Sequence, residues 1–364
     1  MKILIPYDAA TTGMKNPFLF LLMRELVKSG RISSVQHGYG WLYEPGHWDL
    51  IHLHWPELLV KSRLADMSRT DLLESQDFDK VIHALQQKKE AGTGILLTVH
   101  NERPHKDQEG RFSDFYDEVV SLSDGLIHLG TASDQLMKNK YPKMLKDKAS
   151  FVIPHGNYEW FPNEKPREEC RRMLNLHPDV KLVLAFGAIR SRRELELGID
   201  AFNMAGIENG VYMMAGKLPF PYKSQPRHFI ERRKLYRYRF DSTIRTEERV
   251  IPPQDVQIYL NAADLLLIPR YNTLNSGNVA LGFTFGKVVA GPDYGVIGET
   301  LKETGNPVFN PYEVDSVADA IQRGLKRVKD GLGRQNQIYA KEKMGWEEIG
   351  RMSVEAYQSV LDKE

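Results

Sequence analysis

One cysteine, Cys170, stands in 364 residues. That excludes an internal disulfide and suits a reducing compartment, where thiols stay reduced. Long apolar runs are missing too. No stretch approaches the roughly 20 apolar residues of a membrane span, and the opening MKILIP gives way to Tyr7 and Asp8, too short a run for a secretory leader. Nor is charge of one sign in excess. With 49 Lys and Arg against 48 Asp and Glu, the formal net charge is +1, so no global field draws the chain to nucleic acid or an acidic membrane. These absences predict a cytoplasmic protein with no nucleic-acid partner. The glycines of the first loop match no G-x-G-x-x-G fingerprint, so a nicotinamide cofactor is unsupported, and no P-loop lysine motif occurs. His, Cys and carboxylate residues show no metal-ligand spacing, and no internal repeat or low-complexity tract is found.

What is present fits a soluble globular chain: 41% apolar and 27% charged residues. The length suits two domains, each large enough for its own core. Lys2–Pro6 reads as a first strand, and Pro17 starts a helix with Phe18, Leu21, Leu22 and Leu26 on its apolar face. Leu50–His54 is the next strand, closed by Trp55-Pro56-Glu57. A charged helical region spans about Asp71–Ala91, and Ile95–Val99 is a strand ending in His100-Asn101. A helix carrying Phe112, Phe115, Tyr116 and Val119 follows, then strands Leu126–Leu129 and Phe151–Ile153. Strands alternating with helices predict a parallel, doubly wound sheet.

The segment from His155 to Pro166 reads as an interdomain linker. A second series runs from Leu182–Gly187 through a helix with Leu195, Ile199 and Phe202 to strand Val211–Ala215. Lys223–Arg249 breaks the rhythm with interleaved basic and tyrosine residues. It is either a loop for a phosphorylated or lipid-linked partner or a solvated insertion. The series resumes at Val250-Ile251, with a helix around Val256–Ala262 and a strand at Leu265–Pro269. Asn275 is the expected N-cap of the next helix; Val288–Ala290 is a strand, and a further helix starts near Glu299. A long amphipathic helix carries Trp346, Ile349, Met352, Tyr357 and Leu361.

Ligands of open α/β sheets bind at the carboxyl ends of the strands, and helix N-termini there favour anions. Candidate residues at those ends are Asp8, Glu57, His100 and Glu102 in the first half, and Arg190, Arg193, Ser276, Asn278 and Glu299 in the second. Arg190 and Arg193 either fork onto a diphosphate or pair on the surface with Glu194 and Glu196. His100 is either structural or catalytic.

These residues carry a resemblance. FGAIRSRRELELGIDAF (Phe186–Phe202) resembles the FGxIRxxKGxxxLIxAF segment of the family-4-like glycosyltransferases of the GT-B fold. LHWPE (Leu53–Glu57), LTVHNERPH (Leu97–His105), VIPHGNY (Val152–Tyr158), YLNAADLLLIP (Tyr259–Pro269) and the Asn275–Glu299 segment are similar to other signatures of that group, in the same order. The bacterial members nearest this pattern build capsular or exopolysaccharides. The resemblance implies two Rossmann-like α/β domains facing each other across a cleft. Residues 1–155 would bind the acceptor and 156–345 the nucleotide sugar, with a helix at 346–364 crossing back to the first domain. It implies that Arg190 and Arg193 meet the diphosphate, with Asn275, Ser276, Gly277, Asn278 and Glu299 also on the donor side. Val250 and Ile251 would line the nucleobase, and His100 would meet the donor sugar.

The implied reaction moves a sugar from a UDP- or GDP-sugar to a saccharide or lipid-linked acceptor, with retention and without metal or other cofactor. Asp8, Glu57 and Glu102 are candidates on the acceptor side, and peripheral contact with the inner face of the membrane is part of the expectation. Two departures stand out. A Glu-x₇-Glu signature common in the family falls on Thr273 and Leu281, and the glycine after the basic pair is Glu194. A non-catalytic nucleotide-sugar-binding relative is therefore one alternative, and an epimerase acting on nucleotide sugars with the same fold is another.

Overall fold

The computed structural model describes residues 1–8, 17–64, 67, 72–102, 110, 112–218, 238 and 241–362. The chain divides into two compact units: Met1–Gly156 with Met344–Glu364, and Asn157–Lys343.

The first unit runs β1 (Lys2–Ile5), α1 (Phe18–Lys28), β2 (Ser34–His37), β3 (Leu50–Leu53), α2 (Pro56–Lys61), α3 (Ser75–Glu90), β4 (Gly94–Val99), α4 (Ser113–Leu122), β5 (Gly125–His128), α5 (Thr131–Lys140) and β6 (Ala149–Val152). Its six strands are all parallel, in the order β2-β1-β3-β4-β5-β6. Central strands β3 and β4 are buried along their whole length, as expected where helices cover both faces of a parallel sheet. Strand order reverses between β1 and β3, so the switch point lies at their carboxyl ends.

The second unit contains α6 (Arg167–Met173), β7 (Lys181–Phe186), α7 (Arg192–Ala205), β8 (Gly210–Ala215), β9 (Ile244–Glu247), α8 (Val256–Ala262), β10 (Leu265–Leu267), α9 (Gly277–Thr284), β11 (Val288–Pro292), α10 (Gly295–Glu303), β12 (Val308–Phe309), α11 (Val314–Lys329) and α12 (Leu332–Lys343). Its sheet, also six-stranded and parallel, has the order β12-β11-β10-β7-β8-β9. Here the switch point falls between β7 and β10. One core joins Val183, Ala185, Leu265 and Leu267 of the sheet to Ile199 and Phe202 of α7 and Val317 and Ile321 of α11.

The last helix, α13 (Trp346–Leu361), belongs to the first unit. Trp346 meets Phe18 edge to face, with ring centroids 5.3 Å apart. A Cβ on Gly156 would stand 2.2 Å from the Trp346 ring, so only glycine lets this indole seat. Further along the helix, Tyr357 is fully buried and its hydroxyl lies 2.7 Å from His52 Nδ1.

Several boundaries differ from expectation. Ser276, not Asn275, caps α9: its hydroxyl accepts the Asn278 N–H at 3.3 Å. Helix α10 begins at Gly295, which places Glu299 inside the helix rather than at its start. Gly295 is left-handed at φ 55°, and a Cβ there would lie 2.6 Å from the Leu274 carbonyl. The βα series resumes inside the basic stretch, with strand Ile244–Glu247, and Val250-Ile251 lies in the loop beyond it. Much of the basic stretch (223–237 and 239–240), the residues 219–222 before it, the first loop at 9–16 and His105 lie outside the described residues.

Candidate functional site

In the second unit, the ends of β7 and β10 bring arginines together. Past β7 the chain turns through residues 187–190 into α7. The approach to β8 is so close that a Cβ on Gly216 would lie 1.9 Å from the Gly187 carbonyl oxygen. Ser191 caps α7 by accepting the Glu194 N–H at 3.2 Å. Glu194 Oε2 in turn accepts the Arg190 N–H at 2.8 Å. The same oxygen pairs with Nη1 of Arg270, which follows β10, while Arg270 Nη2 donates to the Ala188 carbonyl. Both side chains of this pair are 7% exposed.

Arg190 is partly buried beside it. Desolvation, reinforced by the Arg270 charge and opposed by Glu194, pushes its guanidinium down to about 10. Arg193 is exposed and its guanidinium carbon lies over two rings, 4.3 Å from the Tyr271 centroid and 5.1 Å from that of Tyr312. The surface pairing considered for the arginines is realised otherwise: Glu196 bonds Arg192 at 2.8 Å. The start of α9 closes on the same place, because Asn278 Nδ2 donates to the Phe186 carbonyl at 2.7 Å.

Arg190, Ser276, Gly277 and Asn278 are thus joined at one switch point, with Arg193 and Asn275 alongside. Val250 and Ile251 follow the carboxyl end of β9, and Glu299 lies in the second turn of α10. Arg270, absent from the candidates named on sequence, is the residue that ties the group together. Its signal is weak, a lone arginine after an apolar run whose partner lies 76 residues away. The positions of the missing glutamates are filled otherwise. Leu281 is buried in the core, and Thr273 donates its hydroxyl to the Tyr271 carbonyl at 2.9 Å.

The first unit's switch point is built from rings. The Tyr7 hydroxyl accepts the N–H groups of His54 and Trp55, both at 3.1 Å. His54 Nδ1 lies 3.0 Å from His100 Nε2, and Trp55 stacks on the His100 ring at 4.3 Å. His54 Nε2 is buried with no hydrogen-bond partner among the described residues. Burial holds His54 and His100 well below the ordinary histidine range, so both rings are neutral near pH 7. The Glu57 carboxylate accepts the Tyr116 hydroxyl at 2.5 Å, and burial pushes its carboxyl up. Asp8 and Glu57 both act electrostatically on Tyr39, whereas Glu102 lies beyond β4 after Asn101. No helix among the described residues is long and apolar enough to cross a membrane.

Two doubly wound parallel units, with α13 returned to the first, define the GT-B fold of glycosyltransferases. Sucrose-phosphate synthase from Thermosynechococcus elongatus superposes with a TM-score of 0.70 at 15% identity, covering 100% of this chain and 99% of that one. Anabaena HepE, solved with UDP and glucose, gives 0.69 at 13% identity, covering 99% and 100%. WaaG, a glycosyltransferase of lipopolysaccharide biosynthesis, gives 0.63 at 12%, covering 99% of each chain. No protein-family model and no curated protein sequence matches the chain.

Proposed function

We propose that this chain is a glycosyltransferase whose second unit holds a nucleotide sugar by its diphosphate. One observation carries the reading: at the β7/β10 switch point, Arg190 and Arg270 share a single carboxylate, Glu194, beside the first turn of α9, with Arg193 close by over the Tyr271 ring. Such a surplus of guanidinium charge next to a helix N-terminus suits a diphosphate. As the glycosidic bond breaks, negative charge grows on the leaving oxygen. Preorganised cations stabilise that charge more in the transition state than in the ground state. Arg190 and Arg193 take this role, with Ser276, Gly277 and Asn278 at the phosphates and Asn275 and Glu299 alongside. Val250 and Ile251 meet the base through their backbone.

UDP or GDP is the proposed nucleotide, UDP being the one present in HepE. The resemblance assigns His100 to the sugar, and Asp8, Glu57 and Glu102, at strand ends of the first unit, are the acceptor-side candidates. An inverting outcome would need a general base in the first unit, for which Asp8, Glu57 and Glu102 are unranked candidates. The acceptor is a saccharide or a lipid-linked saccharide of polysaccharide synthesis in the cytoplasm, at the inner face of the membrane. Transfer proceeds with retention and needs no metal, because guanidinium groups do the neutralising.

The test is incubation of UDP- and GDP-sugars with saccharide and lipid-linked acceptors, with and without EDTA. A glycosylated product formed equally in both is expected. Turnover abolished by EDTA and restored by Mg²⁺ or Mn²⁺ would overturn the metal-free mechanism. An isomerised nucleotide sugar formed without acceptor would make the chain an epimerase, and nucleotide binding without any turnover would make it a binding protein.

A further inference from the structure

The Glu194–Arg270 pair stands where electrostatics alone would not put it. A carboxylate beside a diphosphate site repels the ligand. A buried ion pair is also weak ground for stability, since well-packed apolar residues often serve as well or better. What the pair does is hold the turn from β7 to α7. Four ties fix that turn: Gly187 N–H to the Ala215 carbonyl at 2.8 Å, Ile189 N–H to the Lys217 carbonyl at 2.8 Å, Arg190 N–H to Glu194, and the Ala188 carbonyl to Arg270. Two of the four belong to the pair. They reach the turn from different elements, Glu194 from the first turn of α7 and Arg270 from the end of β10. The Arg190 backbone is therefore set, and only its side-chain torsions remain.

We infer that Glu194 and Arg270 are positioning residues that aim Arg190 at the donor diphosphate. The inference rests on the donor-site reading above. It makes a prediction of opposite sign to simple charge counting. Glu194→Gln adds one unit of positive charge to the site, so Coulomb attraction alone would tighten anion binding. If Glu194 instead positions Arg190, the same change weakens binding, because the backbone N–H and Arg270 lose the charged acceptor that orders them.

The experiment is calorimetric titration of the full chain with UDP, GDP and ADP, alongside circular dichroism and melting curves. For Glu194→Gln, folded like the parent, nucleotide binding weaker by about tenfold is expected, of the order of one charge-assisted hydrogen bond. Unchanged or tighter binding would overturn the inference, even if the melting temperature falls. Should Glu194→Gln not fold, Arg270→Lys is read in its place. It keeps the charge but lacks the planar fork whose two nitrogens bond Glu194 and Ala188, and unchanged binding would again overturn the inference. Failure of both variants to fold would make the pair purely structural. A parent chain that binds none of the three nucleotides overturns the donor reading as well, which distinguishes that failure from the loss of the positioning role alone.

Discussion

The two units share a topology and differ in what they place at its reversal. Each has six parallel strands whose order turns back on itself, between β1 and β3 in one and between β7 and β10 in the other. At the first reversal stand Tyr7, His54, Trp55 and His100: the two imidazoles are hydrogen-bonded, Trp55 stacks on His100, and the Tyr7 hydroxyl accepts the backbone N–H groups of His54 and Trp55. At the second stand Arg190 and Arg270 around Glu194, with Arg193 over the Tyr271 ring. Topology fixes where a site forms, and the side chains decide what it can hold. A packed set of neutral rings is sensitive to shape and acid. A cluster of guanidinium groups is sensitive to anions and indifferent to pH in the ordinary range.

The comparison can be broken by perturbing each unit in its own terms. The largest effect should come from Trp346→Ala, which empties the seat between Phe18 and Gly156. Loss of a large buried aromatic costs about 3–5 kcal/mol, and chemical denaturation should show it; a loss below about 1 kcal/mol would mean that α13 is dispensable to the first unit. Arg193→Ala should act on function instead. The proposed contact with diphosphate would be worth about 1.5–3 kcal/mol, or roughly ten- to 150-fold in donor affinity and kcat together. The stacking on Tyr271 and Tyr312 contributes only about 0.5–1 kcal/mol to stability. Arg193→Lys should recover part of the activity, and unchanged kinetics in Arg193→Ala would return the residue to the surface.

The smallest effect per residue is acid sensitivity of the first unit. Burial holds His52, His54, His100 and His155 below the ordinary value, His52 at about 3. The unfolded chain takes up these protons near 6.5 while the folded chain does not. Their neutral burial is therefore without penalty above about pH 6.5, and stability is lost as pH falls below it, by about 1.4 kcal/mol per pH unit for each histidine. Glu57 runs the other way: with its folded value raised, its contribution is full at acid pH and lost as pH rises through that value. Melting curves from pH 7.5 to 5 should fall toward the acid end, and a flat profile would contradict the neutral cluster.

Much of this was legible in the residues. Apolar runs such as LIHL, GILLTV and KLVLAF mark central strands because both sheet faces are covered. The strands that escaped are β2, β9 and β12, which carry SVQH, IRTE and the two residues VF. All three lie at sheet edges, where short or charged strands guard against further pairing and leave no apolar run to read. Helix α11 had a signal, with Val317, Ala320 and Ile321 at helical spacing. Of the second unit's site, Arg190 and the α9 start were visible as motif positions. Arg270 was not, because its meaning comes from Glu194 and Ala188, brought to it only by the pairing of β7 with β10.

The central claim is that the arginines of the second unit hold a donor diphosphate, and titration calorimetry of UDP into the full chain and into Arg190→Ala tests it most directly. The account predicts that the parent binds and that Arg190→Ala, melting with the parent, binds at least about tenfold more weakly, as the loss of a charge-assisted hydrogen bond requires. Equal UDP affinity in the two proteins would contradict it.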